Sequence, residues 1–200
     1  MLATWFYSYS ADLPELQQVS SFAPAAAGII RDECLGSQVM IIPQWQLTFN
    51  LKNAIDAAEI RNNTDTAGYF SAQIARTLFC DSPDRPLQRR LKEMRAAAQL
   101  QRKFTVEQLM LIYANRVYLG NGVTGVESAS HRFFGKSASE LTVAEAAMIA
   151  GLLKSPAADS PDAHPDRATK RRDEVIELML ARGFISAEEA FRAKQSALRD

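Results

Sequence analysis

Two hundred residues, 47% of them hydrophobic, suffice for one domain with a substantial core. The 23 Lys and Arg residues balance the 23 Asp and Glu residues, which excludes a chain-wide nucleic-acid footprint or an acidic tail and leaves any affinity for anions to local patches. Cys34 and Cys80 make neither a metal-spaced pattern nor a disulfide framework, and His131 and His164 make no ligand cluster.

Residues 1–46 read as an irregular or part-β arm. Its first residues hold a short aromatic patch (Trp5, Phe6, Tyr7, Tyr9) but no Lys or Arg before Arg31 and no apolar run of the ~20 residues a spanning helix needs. Neither a secretory signal nor a membrane anchor is therefore expected in this stretch. Val39 to Ile42, ahead of Pro43, has the composition of a short strand.

From Leu47 onward the pattern is helical, so residues 47–200 form the expected helical domain. Leu47, Leu51, Ala54, Ile55 and Ala58 recur at the three-to-four spacing of one buried face. A second helix is predicted over about 66–79, closed by the turn-prone residues 81–84. A third runs from Pro86, whose missing N–H is harmless in a first turn, to about Lys103. On that helix Leu87, Leu91, Met94 and Ala98 form a stripe expected to face the core, opposite Arg89, Arg90 and Glu93.

Three later helix starts have the capping-box form: Thr105 with Gln108, Thr142 with Glu145, and Ser186 with Glu189. Gly120, Gly122 and Gly125 break the chain between helices, and Ala144 to Leu153 is apolar nearly all round, as a central helix would be. A loop is expected over 155–165, followed by a last helical pair separated at Gly183. No internal repeat is evident.

Taken together, Tyr113-Ala114-Asn115, the glycine-rich turn from Gly120 to Gly125, Phe133-Phe134-Gly135-Lys136 and the run from Thr142 to Leu153 occur in a distinctive order and spacing. They resemble the second half of the peptidoglycan glycosyltransferase domain of penicillin-binding proteins, glycosyltransferase family 51. Arg171-Arg172-Asp173-Glu174-Val175 resembles the last motif of that family. The resemblance covers about residues 47–186 and implies a mostly α, lysozyme-like transglycosylase domain, shortened in its first half. Most of the matching residues also have a purely structural account as turns, core and caps.

In this family one glutamate is the general base on an acceptor sugar hydroxyl, and a second lies near the donor and its diphosphate. The resemblance places Glu59, at the end of Leu51-Lys52-Asn53-Ala54-Ile55-Asp56-Ala57-Ala58-Glu59, on the base, although Ile60 stands where the family has aspartate and residues 61–64 lack its Phe and His. From the residues alone, a Glu after two alanines on an amphipathic helix is as readily a solvated surface group. Arg89-Arg90-Leu91-Lys92-Glu93 resembles the R-K-x-x-E motif and places Glu93 at the second site. Arg89 and Arg90 on either side of it suit diphosphate, because guanidinium offers phosphate a bidentate fork. Arg preceding Glu is the weaker order for a plain helix salt bridge.

Between the two glutamates, Thr66 to Gln73 stands where the family has G-G-S-T-I-T-Q-Q, and only Gln73 keeps a matching polar position before Ile74 to Phe79. The connecting segment is also much shorter than the family's. A family-like reading sets cations such as Lys136, Lys154, Arg171 and Arg172 around anionic substrate.

The resemblance implies polymerisation of lipid-linked disaccharide into glycan, with further cell-wall enzymes as partners, at the outer (periplasmic) face of the cytoplasmic membrane. It leaves a divalent metal open, although no ligand cluster calls for one and no cofactor is evident. The competing expectation is an inactive relative that binds cell-wall enzymes or glycan. A nucleic-acid binder fits poorly: the charge run from Arg85 to Lys103 has no aromatic stacking set.

Overall fold

The computed structural model describes residues 28–32, 37–41, 47–60, 65–79 and 85–197. The two cysteines, the aromatic patch at 5–9, the tetrapeptide 61–64 and the turn at 81–84 lie outside them. From the arm, the described residues form one antiparallel pair, β1 (Gly28–Asp32) and β2 (Ser37–Ile41), in register from Gly28 opposite Ile41 to Asp32 opposite Ser37. The strand expected at Val39 is thus present.

The rest of the described chain is mostly helical, and the mostly α class holds. In order come α1 (Phe49–Glu59), α2 (Thr66–Leu78), α3 (Pro86–Lys103), α4 (Val106–Arg116), α5 (Val126–Phe134), α6 (Val143–Leu152), α7 (Pro165–Ala181) and α8 (Ala187–Gln195). Each of the three expected capping boxes closes in both directions. The side-chain hydroxyl accepts from the N3 backbone, and the N3 side chain accepts from the cap backbone. A fourth, Ser137 with Glu140, opens a single 3-10 turn (Ala138–Glu140).

Two helix groups share one continuous core. In the first, α2 packs on α3 and α4; in the second, α1 and α7 pack on α6, and α8 closes against α6 and α7. Helix α5 touches α4 and α6, one from each group. Leu109 to Arg116 on α4 and Ala144 with Ala146 to Leu152 on α6 are buried, so these two helices are the centres of their groups. The alanines let α7 lie close to α6. A Cβ added at Gly151 would meet Arg171 Cγ at 3.0 Å, so the missing side chain is what lets Arg171 cross α6. At Gly120 the backbone takes φ of 88°, a conformation that glycine adopts without strain.

One expectation is reversed. The α3 stripe faces outward: Leu87 is 72% exposed, Leu91 54% and Met94 60%, while Ala98 is half-buried. The helix docks on α2 with the opposite face, through Ala96, Gln99 and Leu100. Periodicity correctly told which residues share a face. It could not tell which face meets the core, because the inward face sets a single large apolar residue, Leu100, among small and polar ones and carries little hydrophobic signal.

Candidate active site

Glu59 is the last residue of α1, a helix started by the Thr48 hydroxyl, which accepts from the Leu51 amide. Ile60 then leaves the helix in an extended conformation, with its N–H donating to Asp56 O at 2.9 Å. The chain therefore ends α1 at the junction of the two helix groups. There Glu59 opens into a recess of about 460 Å³ lined also by Ala58, by Tyr69 and Gln73 of α2, by Tyr113 of α4, and by Leu153 and Lys154 after α6. The Tyr69 hydroxyl donates to Glu59 Oε2.

Burial raises the Glu59 pKa from 4.5 to about 7; the charges of Arg171 and Lys154 oppose that rise without cancelling it. The Tyr113 phenol is pushed up, first by its own burial and then by the charge of Glu59. A carboxyl half-ionised near neutrality, at the wall of an open recess, has the properties of a general base.

Glu93 lies in a neighbouring recess of about 400 Å³, with Arg89, Arg90, Pro86, Arg76 and Phe79. Its side chain is 13% exposed and is bracketed by Arg89 Nε at 3.5 Å and Arg90 Nη1 at 3.3 Å. The expected arginine pair therefore flanks Glu93 in space. Arg76, not singled out from the sequence, adds a third guanidinium. The signal available was its spacing, one turn beyond Gln73 on the same helix. Arg76 Nη1 donates to Gln73 Oε1 at 3.3 Å, so one hydrogen bond joins the walls of the two recesses.

A third recess adjoins the first at Lys154 and contains Arg167, Lys170 and Arg171 with Asp159 and Glu174. Arg171 is held there by Glu174 Oε2 at 3.0 Å and by Gly151 O at 3.5 Å. The other two cations singled out from the sequence are elsewhere. Lys136 pairs with Glu145 Oε2 at 2.9 Å and lines none of these recesses. Arg172 is buried and donates to the carbonyls of Lys194 and Ser196, fastening the end of α8. Among the described residues no group of three or more His, Cys, Asp or Glu side chains gathers, and Glu59 and Glu93 lie in separate recesses.

Comparison with known proteins adds the lineage. A family model described as transglycosylase matches residues 51–180. Penicillin-binding protein 1F of Bacillus subtilis is 38% identical over 129 residues, covering 64% of this chain and 18% of that protein. Penicillin-binding protein 1A of Rickettsia bellii is 29% identical over 231 positions, covering 99% of this chain and 29% of that protein. Because 231 positions are matched to a chain of 200, about thirty residues of that relative have no counterpart here. The crystal structure of penicillin-binding protein 1A from Haemophilus influenzae aligns with TM-score 0.42 at 28% identity, covering 68% of this chain and 17% of that one. The chain spans less than a third of the length of these curated relatives. With more than half its residues matched by the family model, the chain belongs to the transglycosylase family, the peptidoglycan glycosyltransferase domain found in penicillin-binding proteins.

Proposed function

We propose that the protein polymerises lipid-linked disaccharide (lipid II) into glycan strands, with Glu59 as general base. The observation that carries this reading is the pairing of a half-buried carboxyl of pKa about 7 with a neighbouring recess of three guanidinium groups. Glu59 takes the proton of the acceptor hydroxyl as that oxygen forms a bond to the donor's anomeric carbon. The bond from that carbon to the diphosphate oxygen breaks on the opposite face, so the configuration inverts. The electron pair leaves with the polyprenyl diphosphate, whose growing charge Arg76, Arg89 and Arg90 neutralise. Glu93 aims the two arginines of its own helix through its ion pairs with them. Gln73, bonded to Arg76, keeps that side chain beside the donor.

The substrate's polyprenyl tail stays in a bilayer, which places the diphosphate recess at headgroup depth. The exposed α3 stripe of Leu87, Leu91 and Met94 lies on the helix that carries Arg89 and Arg90. Its apolar surface, flanked by Arg90 and Arg95, suits contact with lipid at the outer face of the cytoplasmic membrane. Among the described residues no helix is long and apolar enough to cross a membrane.

A second reading, an inactive relative that binds glycan or cell-wall enzymes, is favoured by the residues of the longer relative that have no counterpart here. Turnover separates the two. Purified protein in detergent, supplied with lipid II, should form glycan polymer, and Glu59→Gln should lose most of it. No polymer beside a working control enzyme establishes the inactive reading.

A further inference from the structure

We infer that Tyr69 is the positioning residue of Glu59: its phenol holds one carboxylate oxygen so that the other faces the acceptor. The inference rests on Glu59 being the base, and its geometry is independent of that assignment. Glu59 ends α1, and the next residue, Ile60, is apolar, buried and turned out of the helix, so its side chain offers the carboxyl no donor. A glutamate at a helix end has several rotamers open to it, whereas a base must hold one oxygen within about 3 Å of its target.

The groups facing Glu59 come from four elements. Arg171 of α7 and Lys154 beyond α6 act on it through their charge, and Tyr113 of α4 lines the same recess. Among the described residues, only Tyr69 of α2 makes a side-chain hydrogen bond to it, at Oε2. Charge at a distance favours ionisation but does not choose between two oxygens. A hydrogen bond does.

Tyr69 is itself built to stay in place. It lies in the first turn of α2, with its N–H bonded to Asp65 O at 2.9 Å. Its ring meets Phe70 edge-on, with centroids 5.4 Å apart and planes at 82°. Phe70 is fully buried and packs in turn against Tyr113 at 5.2 Å. The phenol is long enough to cross from α2 to α1 and has only two side-chain torsions to fix. Its hydroxyl donates to the ionised carboxylate, so it both aims the base and favours its working form.

The test is Tyr69→Phe in the full chain, which removes the donor and keeps the ring. The Glu59 carboxyl carbon, followed by NMR in 13C-glutamate-labelled protein, should titrate about one pH unit higher than in wild type, as expected for losing one hydrogen bond to a charged group. The acidic limb of turnover against pH should move by the same amount. Turnover below pH 7 should fall about fivefold to tenfold while KM for lipid II stays within twofold. An unmoved carboxyl midpoint overturns the inference. A moved midpoint in a protein whose turnover is unaffected by Glu59→Gln supports the Tyr69 bond and removes the base assignment instead. The wild type offers a check that does not depend on the variant folding: the Tyr69 Cζ resonance should follow the Glu59 midpoint, and a flat response overturns the inference.

Discussion

Arg76 Nη1 donates to Gln73 Oε1 at 3.3 Å, and that bond joins a wall residue of the Glu93 recess to one of the Glu59 recess. The bond lies within α2, which also carries Tyr69, so one helix contributes a side chain to each recess. Arg76 is exposed, so Arg76→Ala should leave the melting temperature within about 2 °C. Initial rates on lipid II should nevertheless fall about tenfold or more. Arg76→Lys should recover only part of the loss, because an ammonium cannot fork to two phosphate oxygens. Unchanged rates in both variants would remove Arg76 from the donor site.

Glu59 links activity and stability to pH with opposite signs. Its folded pKa of about 7 lies above the ordinary 4.5, so the folded state holds the proton more tightly than the unfolded chain. The stability this contributes is complete below pH 4.5 and is lost as pH rises through about 7. Glu59→Gln mimics the protonated form. Its unfolding free energy should match wild type near pH 4 and exceed it at pH 8, the gap approaching roughly 3 kcal/mol, with its melting temperature raised accordingly. Wild-type turnover should do the reverse, rising across the same window as the base ionises. A thermal scan of both proteins from pH 4 to 8 checks the first, and rates over the same range check the second.

The helices were legible because their starts carry local chemistry. Thr105, Thr142 and Ser186 each bond within four residues, and such short-range signals survive in a bare sequence. Glu59, Glu93 and the Arg89–Arg90 pair were legible from spacing along the chain and from resemblance. What was not legible came from distance. Arg171 reaches the Glu59 region from more than a hundred positions away, across Gly151. Tyr69 meets Glu59 between two helices whose relative placement no periodicity encodes. The pairing of Lys136 with Glu145 is hidden for the same reason. Glu145 had a complete local explanation as a cap, and one carboxylate serves both.

The outward α3 stripe predicts a dissociation of stability from lipid binding. Leu91→Ala and Leu87→Ala should each change unfolding free energy by no more than about 0.5 kcal/mol, as exposed positions do. Leu100→Ala, on the buried face of the same helix, should cost about 2 to 5 kcal/mol. The paired change Leu87→Glu and Leu91→Glu should leave the fold intact and weaken sedimentation with anionic vesicles at least tenfold. Equal destabilisation by Leu91→Ala and Leu100→Ala, read from urea unfolding, would return the stripe to the core.

Arg182, the residue that ends α7, reaches back to the helix that delivers the base. Its Nη1 donates to Asp56 O at 2.8 Å and lies 3.4 Å from Asp56 Oδ2, one turn before Glu59. The last carbonyls of a helix lack partners within it, and here one of them accepts both this guanidinium and the Ile60 amide. Arg182→Ala should therefore loosen the final turn of α1 more than it unfolds the domain. The expected result is a loss of about 1 to 2 kcal/mol in unfolding free energy. Amide exchange should quicken from Ala57 to Ile60 while staying unchanged in α4. Turnover should fall with it, through kcat and not KM, because the base is less well held. Uniformly faster exchange in α1 and α4 would mean that the bond supports the whole fold instead of the end of one helix.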